Sequence, residues 1–374
     1  MFAKRIERLK PSLVREILAA AQAPGVISFA GGLPAAETLY QPNLAQMQIP
    51  ASIWQYGVSE GEATLRELVA LRAQKLGLQC SADQVLILNG SQQGIDLVAK
   101  LWAEDGMSIL CESPTYLAAL QVFELFGAQF EASRDAMMAP QDVAHSAARF
   151  SYLIPTFQNP TGACYSTEQR VALAQAFDAK QMPVFEDDPY RDLAFDGAAP
   201  APLVSHLKSV QWVYQGSFSK TLAPGLRLGY LIAHPDLIVS LTRLKQAADL
   251  HSNRLSQAIV AQVLQSGELD AHIETILPVY RAKRDHMHQL LTHYLADKAT
   301  WEKPRGGLFF WLNLNQAQDT MALMRAGLEQ GLAVMSGAPF CTTDHSGATL
   351  RLNFSHSNLT QIEAGVQRLA GLIK

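Results

Sequence analysis

The chain has 374 residues, 48% of them apolar and 17% charged against a usual figure of about 25%, with a net charge of −4; a chain of this length is expected to divide into two domains, each with its own core. The slightly acidic balance and the lack of any dense Lys/Arg run argue against a nucleic-acid partner. No apolar run approaches about 18 residues, the opening MFAKRIERLK lacks the apolar centre of a signal peptide, and Cys80, Cys111, Cys164 and Cys341 follow neither disulfide nor metal-finger spacing, so the expectation is a cytoplasmic protein with free thiols, no membrane partner and no metal.

In chain order, a helix is expected after Ser12, followed by the irregular SFAGGLP; the first 45 residues are expected to pack outside the main sheet. Short apolar runs then alternate with helical patterns: QVLILN before a helix from Gln92, MSILCE before one from Tyr116, SYLIPTF before one from Thr167, then PVFEDD, QWVYQGS and LGYLIAHP. Runs of four to six apolar residues without polar alternation are what strands covered on both faces look like, which predicts an α/β core with a mainly parallel sheet. Past residue 236 long helices take over (DLIVSLTRLKQAADL, RLSQAIVAQVLQS and a run from Asp270 to about Ala296), and GLFFWLNL, a helix near 319–330, ATLRLNFS and a closing helix follow in α+β order. That change of rhythm marks a second, smaller domain.

Ligands of open α/β sheets gather at the carboxyl ends of strands, so the polar sets that end these runs carry the functional reading. NGSQQG turns from strand to helix through Gly90 and leaves the amides of Ser91 and Gln92 at a helix N-terminus, an arrangement suited to phosphate; the plain alternative is a turn with Ser91 as N-cap. GSFSKTLAPGLRLG sets Lys220 and Arg227 among hydroxyls and glycines with no acidic residue, so Ser217, Ser219 and Arg227 can serve the same anion. In EDDPY the adjacent Asp187 and Asp188 point to opposite faces of a strand. Only one of them can face a site, and the one that points away is expected to matter little; the plain alternative is a solvated Asp-Asp turn.

Together these stretches resemble the fold-type I pyridoxal-phosphate aminotransferases of class I/II, most nearly the branch of 2-aminoadipate, kynurenine and aromatic aminotransferases that also supplies the effector domain of MocR-type regulators. NGSQQG, SPTY, QNPTG, EDDPYRDL, GSFSKTLAPGLRLGY, RGGLFFW and LRLNFS occur in the family's order and near its spacing, from about Ser12 to the C-terminus. The resemblance implies a mainly parallel seven-stranded sheet flanked by helices plus a smaller α+β domain. It divides the chain into an N-terminal arm and lid helix packing with the small domain (1–45), a large cofactor-binding domain (46–275) and a small C-terminal domain (276–374). It makes Lys220 the lysine that carries pyridoxal 5′-phosphate, with Asp187 on the ring nitrogen, Asn159 and Tyr190 on the phenolic oxygen, and Tyr116 stacked on the ring. Ser91, Gln92, Ser217, Ser219 and Arg227 would hold the phosphate. Arg351, with Asn159 and Gly32, would bind the substrate, and Tyr56 would reach a neighbouring subunit's phosphate in a homodimer with shared sites. Arg15, on the lid helix, is the candidate for selecting a dicarboxylic side chain. The implied reaction moves the amino group of an aromatic, branched or dicarboxylic L-α-amino acid to a 2-oxo acid such as 2-oxoglutarate by a ping-pong cycle.

Other readings compete. GVSEG at 57–61 fits the G-x-S-x-G elbow of serine hydrolases and SFSK fits S-x-x-K, but PASIWQY is a poor strand, and K-T-G and S-D-N are missing. The P-loop reading fails because Ser219, not Gly, precedes Lys220. His286, His288 and His293 do not share one helix face and are read as solvated. A cofactor-binding sensor module is the non-enzyme rival; the dozen residues before the first expected helix are too few for a helix-turn-helix unit. Elimination or decarboxylation on the same cofactor is the enzymatic one.

Overall fold

The computed structural model describes residues 2–9, 19, 23–343 and 348–374; Arg15 and the body of the helix expected after Ser12 lie outside the described residues. The arm contributes a short strand, β1 (Ile27–Ser28). The large sheet is built from β2 (Val85–Leu88), β3 (Ser108–Cys111), β4 (Gln129–Ala132), β5 (Phe150–Leu153), β6 (Val184–Asp187), β7 (Trp212–Ser217) and β8 (Gly229–Ala233). Its seven strands run in the order β2-β8-β7-β6-β5-β3-β4, and only β8 runs against the others. Apart from β4, these strands are almost wholly buried, because helices cover both faces. One face packs Leu65, Leu173, Phe177 and Val260, and the other Leu97, Phe123 and Leu237. The half-exposed β4 lies at the sheet edge against β3 alone, and its sequence QFEA carries no apolar run to announce it.

The second sheet is antiparallel. It is formed by β9 (Ala299–Thr300), β10 (Phe309–Leu314), β12 (Met335–Ser336) and β13 (Thr349–Asn353), while β11 (Leu332–Ala333) pairs with β1 in parallel. A helix spanning Glu268–Leu295 joins the two halves of the molecule. Its Leu269 and Ile273 pack into the core beneath the large sheet, whereas Ile276, Tyr280, Met287 and Leu291 enter the core beneath the small one. The same helix pins the arm: Tyr280 Oη meets Thr38 Oγ1 at 2.5 Å, and Lys283 Nζ donates to Glu37 at 2.6 Å. From there the arm backbone runs beside β13, where Asn353 N–H donates to Phe29 O at 2.7 Å.

Three expectations change. Asp188 is neither solvated nor idle: it is buried, binds the Arg191 guanidinium and accepts from Tyr214 Oη at 3.1 Å. His288 is not simply solvated, since its ring stacks on Phe310 and accepts from Trp301 Nε1 at 3.1 Å. Ser91 begins its helix, Ser91–Trp102, and the N-cap is Gly90, at φ 78°. The segment before Ser59 is a short 3-10 helix, Ala51–Trp54, and not the strand a nucleophile elbow needs.

Candidate active site

Five loops meet at one edge of the large sheet: those that leave β2, β3, β5, β6 and β7 at their carboxyl ends. The β7 loop returns into β8 at the same edge. They surround a cavity of about 250 Å³ lined by Ser91, Gln92, Tyr116, Ile154, Asn159, Asp187, Pro189, Tyr190, Ser217, Ser219, Lys220 and Arg227. Ten of these twelve described residues are among those the sequence singled out. Arg351 and Gly32 join them through hydrogen bonds. Tyr56 stands apart, 77% exposed, with its ring edge-on to His251.

At one end the helix Ser91–Trp102 presents its N-terminus. Its cap, Gly90, has no side chain to receive the first-turn N–H groups; Gln93 N–H donates to Gly90 O at 3.2 Å, which leaves those of Ser91 and Gln92 to a ligand. Gly90 is needed twice over: its φ is positive, and a Cβ there would come within 2.5 Å of Arg227 Nη2. Arg227 is itself exposed on its outer side, at a left-handed turn (φ 47°). Ser219 N–H donates to Ser217 Oγ at 3.1 Å, which folds the two hydroxyl-bearing residues toward that end.

Lys220 occupies the middle. Its Nζ donates to Gly32 O at 2.8 Å, and burial, with Arg227 and Arg351 adding like charge, lowers its ammonium to about 8. At the far end Asp187 closes β6. Gln215 Nε2 donates to its Oδ1 at 2.9 Å and Tyr152 Oη to its Oδ2 at 3.0 Å. Burial raises its carboxyl to about 6, against the pull of those two donors. Tyr152 and Gln215 were not singled out from the sequence. A polar residue inside an otherwise apolar strand was visible in each case, but which residue it would meet depends on strand register.

Arg351, on β13, reaches the cavity from the small sheet. Its Nη1 donates to Asn159 Oδ1 at 2.8 Å and its Nη2 to Ala30 O, while its buried Nε has no partner. Phe309 and Phe340 flank the guanidinium with ring centroids at 4.5 and 4.8 Å, and burial lowers it to about 10. Asn159 also bonds Tyr190, whose hydroxyl burial pushes far up. Burial likewise raises Tyr116 to about 12.

Lys220, Arg227 and Arg351 have only neutral acceptors among the described residues, and the one carboxylate in the cavity is Asp187 at the far end. Such an imbalance fits a ligand that brings an anionic phosphate to the helix N-terminus, a protonated ring nitrogen to Asp187, and space for a second anion at Arg351. Among the described residues no cluster of His, Cys, Asp and Glu is placed to hold a metal, and no helix is long and apolar enough to cross a membrane.

A lysine, an aspartate and an open helix N-terminus that meet on a mainly parallel seven-stranded sheet fit a fold-type I pyridoxal-phosphate enzyme. The sequence model of aminotransferases class I and II matches residues 41–369, and the chain belongs to that family. It is 35% identical to a 2-aminoadipate transaminase of Thermus thermophilus over 100% of this chain and 96% of the relative. It is 32% identical to aromatic-amino-acid aminotransferase 1 of Thermococcus litoralis, over 100% and 94%. Among solved structures, kynurenine aminotransferase of Pyrococcus horikoshii, crystallised with pyridoxamine phosphate, superposes with a TM-score of 0.93 at 29% identity, over 100% of this chain and 96% of that one. The protein is a pyridoxal-phosphate-dependent aminotransferase, transferring amino groups between amino acids and 2-oxo acids.

Proposed function

We propose that this enzyme takes its amino group from an aromatic, branched or dicarboxylic L-α-amino acid and passes it to a 2-oxo acid such as 2-oxoglutarate, both reacting in turn at the one cavity. The observation that carries the reading is the cavity's three cations set against a single carboxylate. Ser91, Gln92, Ser217, Ser219 and Arg227 would hold the phosphate, Tyr116 would lie against the ring, Asn159 and Tyr190 would bind its phenolic oxygen, and Asp187 would keep its nitrogen protonated. When bound, pyridoxal 5′-phosphate supplies the electron sink for the pair left when the substrate Cα loses its proton. Lys220 would be the residue that holds the cofactor covalently, and its amine, when free, would be placed to accept and return the proton at the substrate Cα. An ammonium depressed to about 8 leaves a useful share of free amine near neutral pH. Arg351 binds the α-carboxylate through a charged fork whose Nε is free to donate, and Gly32 and Asn159 border it. Phe309 and Phe340 keep water from that pair, which strengthens it.

We further infer a homodimer with shared sites. Tyr56 is exposed beside Trp54 and Val58, in a segment whose Ser52, Gln55 and Tyr56 carbonyls are gripped by Arg254 Nη1. A rigidly held, exposed aromatic segment suits insertion into a second copy. Mixing inactive Lys220→Ala and Tyr56→Ala chains should restore activity; a fully active monomer in sedimentation would remove this part. The division 1–45, 46–275 and 276–374 is proposed on the separate cores that Ile273 and Ile276 enter, and a cytoplasmic location on four unpaired cysteines.

The test is a panel of amino donors against 2-oxoglutarate and pyruvate, with Arg15→Ala alongside wild type. The substrate reading requires turnover with at least one of the three donor classes. Arg15 as selector requires KM to rise for dicarboxylic donors by the equivalent of about 1.5–3 kcal/mol and little for aromatic ones.

A further inference from the structure

The Asp187 carboxylate ends the central strand of the large sheet, and the two strands that flank β6 each send one polar side chain to it. Tyr152 on β5 pairs in register with Phe185, two residues before Asp187, and Gln215 on β7 pairs with Asp187 itself. The three side chains therefore share one face of the sheet. Tyr152 donates to Oδ2 at 3.0 Å and Gln215 to Oδ1 at 2.9 Å, so each oxygen of the carboxylate receives one neutral donor from one side.

Neither donor is free to turn elsewhere. Tyr152 is fully buried with its ring between Phe123 and Phe185, centroids at 5.5 and 5.4 Å, and Asp187 is its hydrogen-bond partner. Gln215 is also fully buried, and its Oε1 has no partner. A Cβ on Gly94 would overlap that Oε1, so the amide occupies the space the glycine leaves. Turning the amide over would bring Oε1 against a carboxylate oxygen, so the anion itself fixes the amide's orientation. An unsatisfied buried carbonyl oxygen is a cost that packing alone would not select, and donation to Asp187 offsets it.

We propose that Tyr152 and Gln215 are positioning residues for the cofactor's ring nitrogen: they aim the Asp187 carboxylate and hold it as an anion, and so set how strongly the site prefers a ring bearing a protonated nitrogen. The inference rests on the reading of Asp187 given under Proposed function. The surrounding charges agree with it. Burial and the neighbouring Asp188 push Asp187 toward its neutral form, Tyr116 and Tyr190 face it as uncharged hydroxyls, and Gln215 and Tyr152 pull the other way. A neutral Asp187 can accept one hydrogen bond from a pyridinium but cannot balance its charge.

The test compares two ligands of the apo-enzyme: pyridoxal 5′-phosphate, and its analogue in which C–H replaces the ring nitrogen. Both keep the phosphate, the phenolic oxygen and the aldehyde, so their ratio of dissociation constants isolates the nitrogen contact. Asp187→Asn should collapse that ratio. Tyr152→Phe, which keeps the buried ring, and Gln215→Met, which keeps the volume, should each shrink it about tenfold, the equivalent of one unit in the carboxyl's pKa, with affinity for the analogue unchanged. A merely structural role would weaken both ligands alike, and that result, or an unchanged ratio in both variants, overturns the proposal. If Asp187→Asn itself leaves the ratio intact, the underlying reading of Asp187 fails and takes this one with it.

Discussion

Glu186 and Asp188 point to one face of β6, and each meets an arginine there. Arg170 lies 3.7 Å from Glu186, both wholly buried, and Arg191 binds Asp188 while also donating to Pro200 O and Thr156 Oγ1. Asp187, between them in sequence, points to the other face, where Lys220, Arg227 and Arg351 crowd the cavity and none has a carboxylate partner among the described residues. A few ångströms of strand thus separate charge that is neutralised within the protein from charge that waits for a ligand. The paired side fixes the loops after β5 and β6 in place; the unpaired side is useful because it is incomplete.

The largest expected effect breaks the unpaired side at its centre. Lys220→Ala should lower turnover by at least about 10³-fold, since proton transfer and covalent attachment are lost together. The cofactor should remain, held non-covalently through its phosphate and ring, and dialyse away more readily than from wild type. Near-wild-type turnover in steady-state assays would remove Lys220 from the chemistry.

Exchanging the two neighbouring aspartates sharpens the contrast. Asp187→Asn should lower turnover about 10²-fold with little change in the denaturation midpoint, because its partners are two neutral donors. Asp188→Asn should act through stability. It leaves the Arg191 guanidinium buried without its counter-charge, a loss of about 3–5 kcal/mol in urea unfolding. If both variants lose activity and stability in equal measure, the two faces are not doing different work.

The sequence disclosed the two sides unequally. Apolar runs located six strands of the large sheet, because strands covered on both faces need them, and the polar sets at their ends, with the family resemblance adding Tyr116, Asn159 and Tyr190, located ten residues of the cavity. The edge strand β4 left no such mark, since QFEA is half exposed and meets only one neighbour. The paired side was missed for a different reason. Arg170 falls within a helix whose pattern gives no hint of burial, and its partner Glu186 lies on a separate strand, so only the folded register joins them. Asp188 and Arg191 are three apart in EDDPYR and could have been read as a pair, but an Asp–Asp step before proline looks like a solvated turn. Tyr152 and Gln215 depend on lateral alignment of three parallel strands, which composition and periodicity do not encode.

The smallest expected effect concerns what the unpaired cations do to the empty protein. Lys220 titrates at about 8 in the folded state and near 10.4 in an unfolded chain. Between those values the unfolded chain holds a proton the folded one lacks, so stability rises with pH across this window and is lowest, for this group, below about 8. Lys220→Met keeps most of the side chain's volume and removes the charge. At pH 7 it should therefore raise apo-protein stability by about 1 kcal/mol, a figure reduced for solvent screening because the lysine is only half-buried. The gain should fade as pH approaches the unfolded value. Inorganic phosphate should narrow the gap as well, since an anion at the Gly90 turn and Arg227 offsets the repulsion that Lys220 feels, stabilising wild type more than the variant. Asp188→Asn should show neither response, its deficit lying on the far face of β6 and persisting with or without phosphate. Urea midpoints of the three proteins at pH 7 and 10, with and without phosphate, decide it: a Lys220→Met variant no more stable than wild type at pH 7 would mean that the cavity bears its cations without cost.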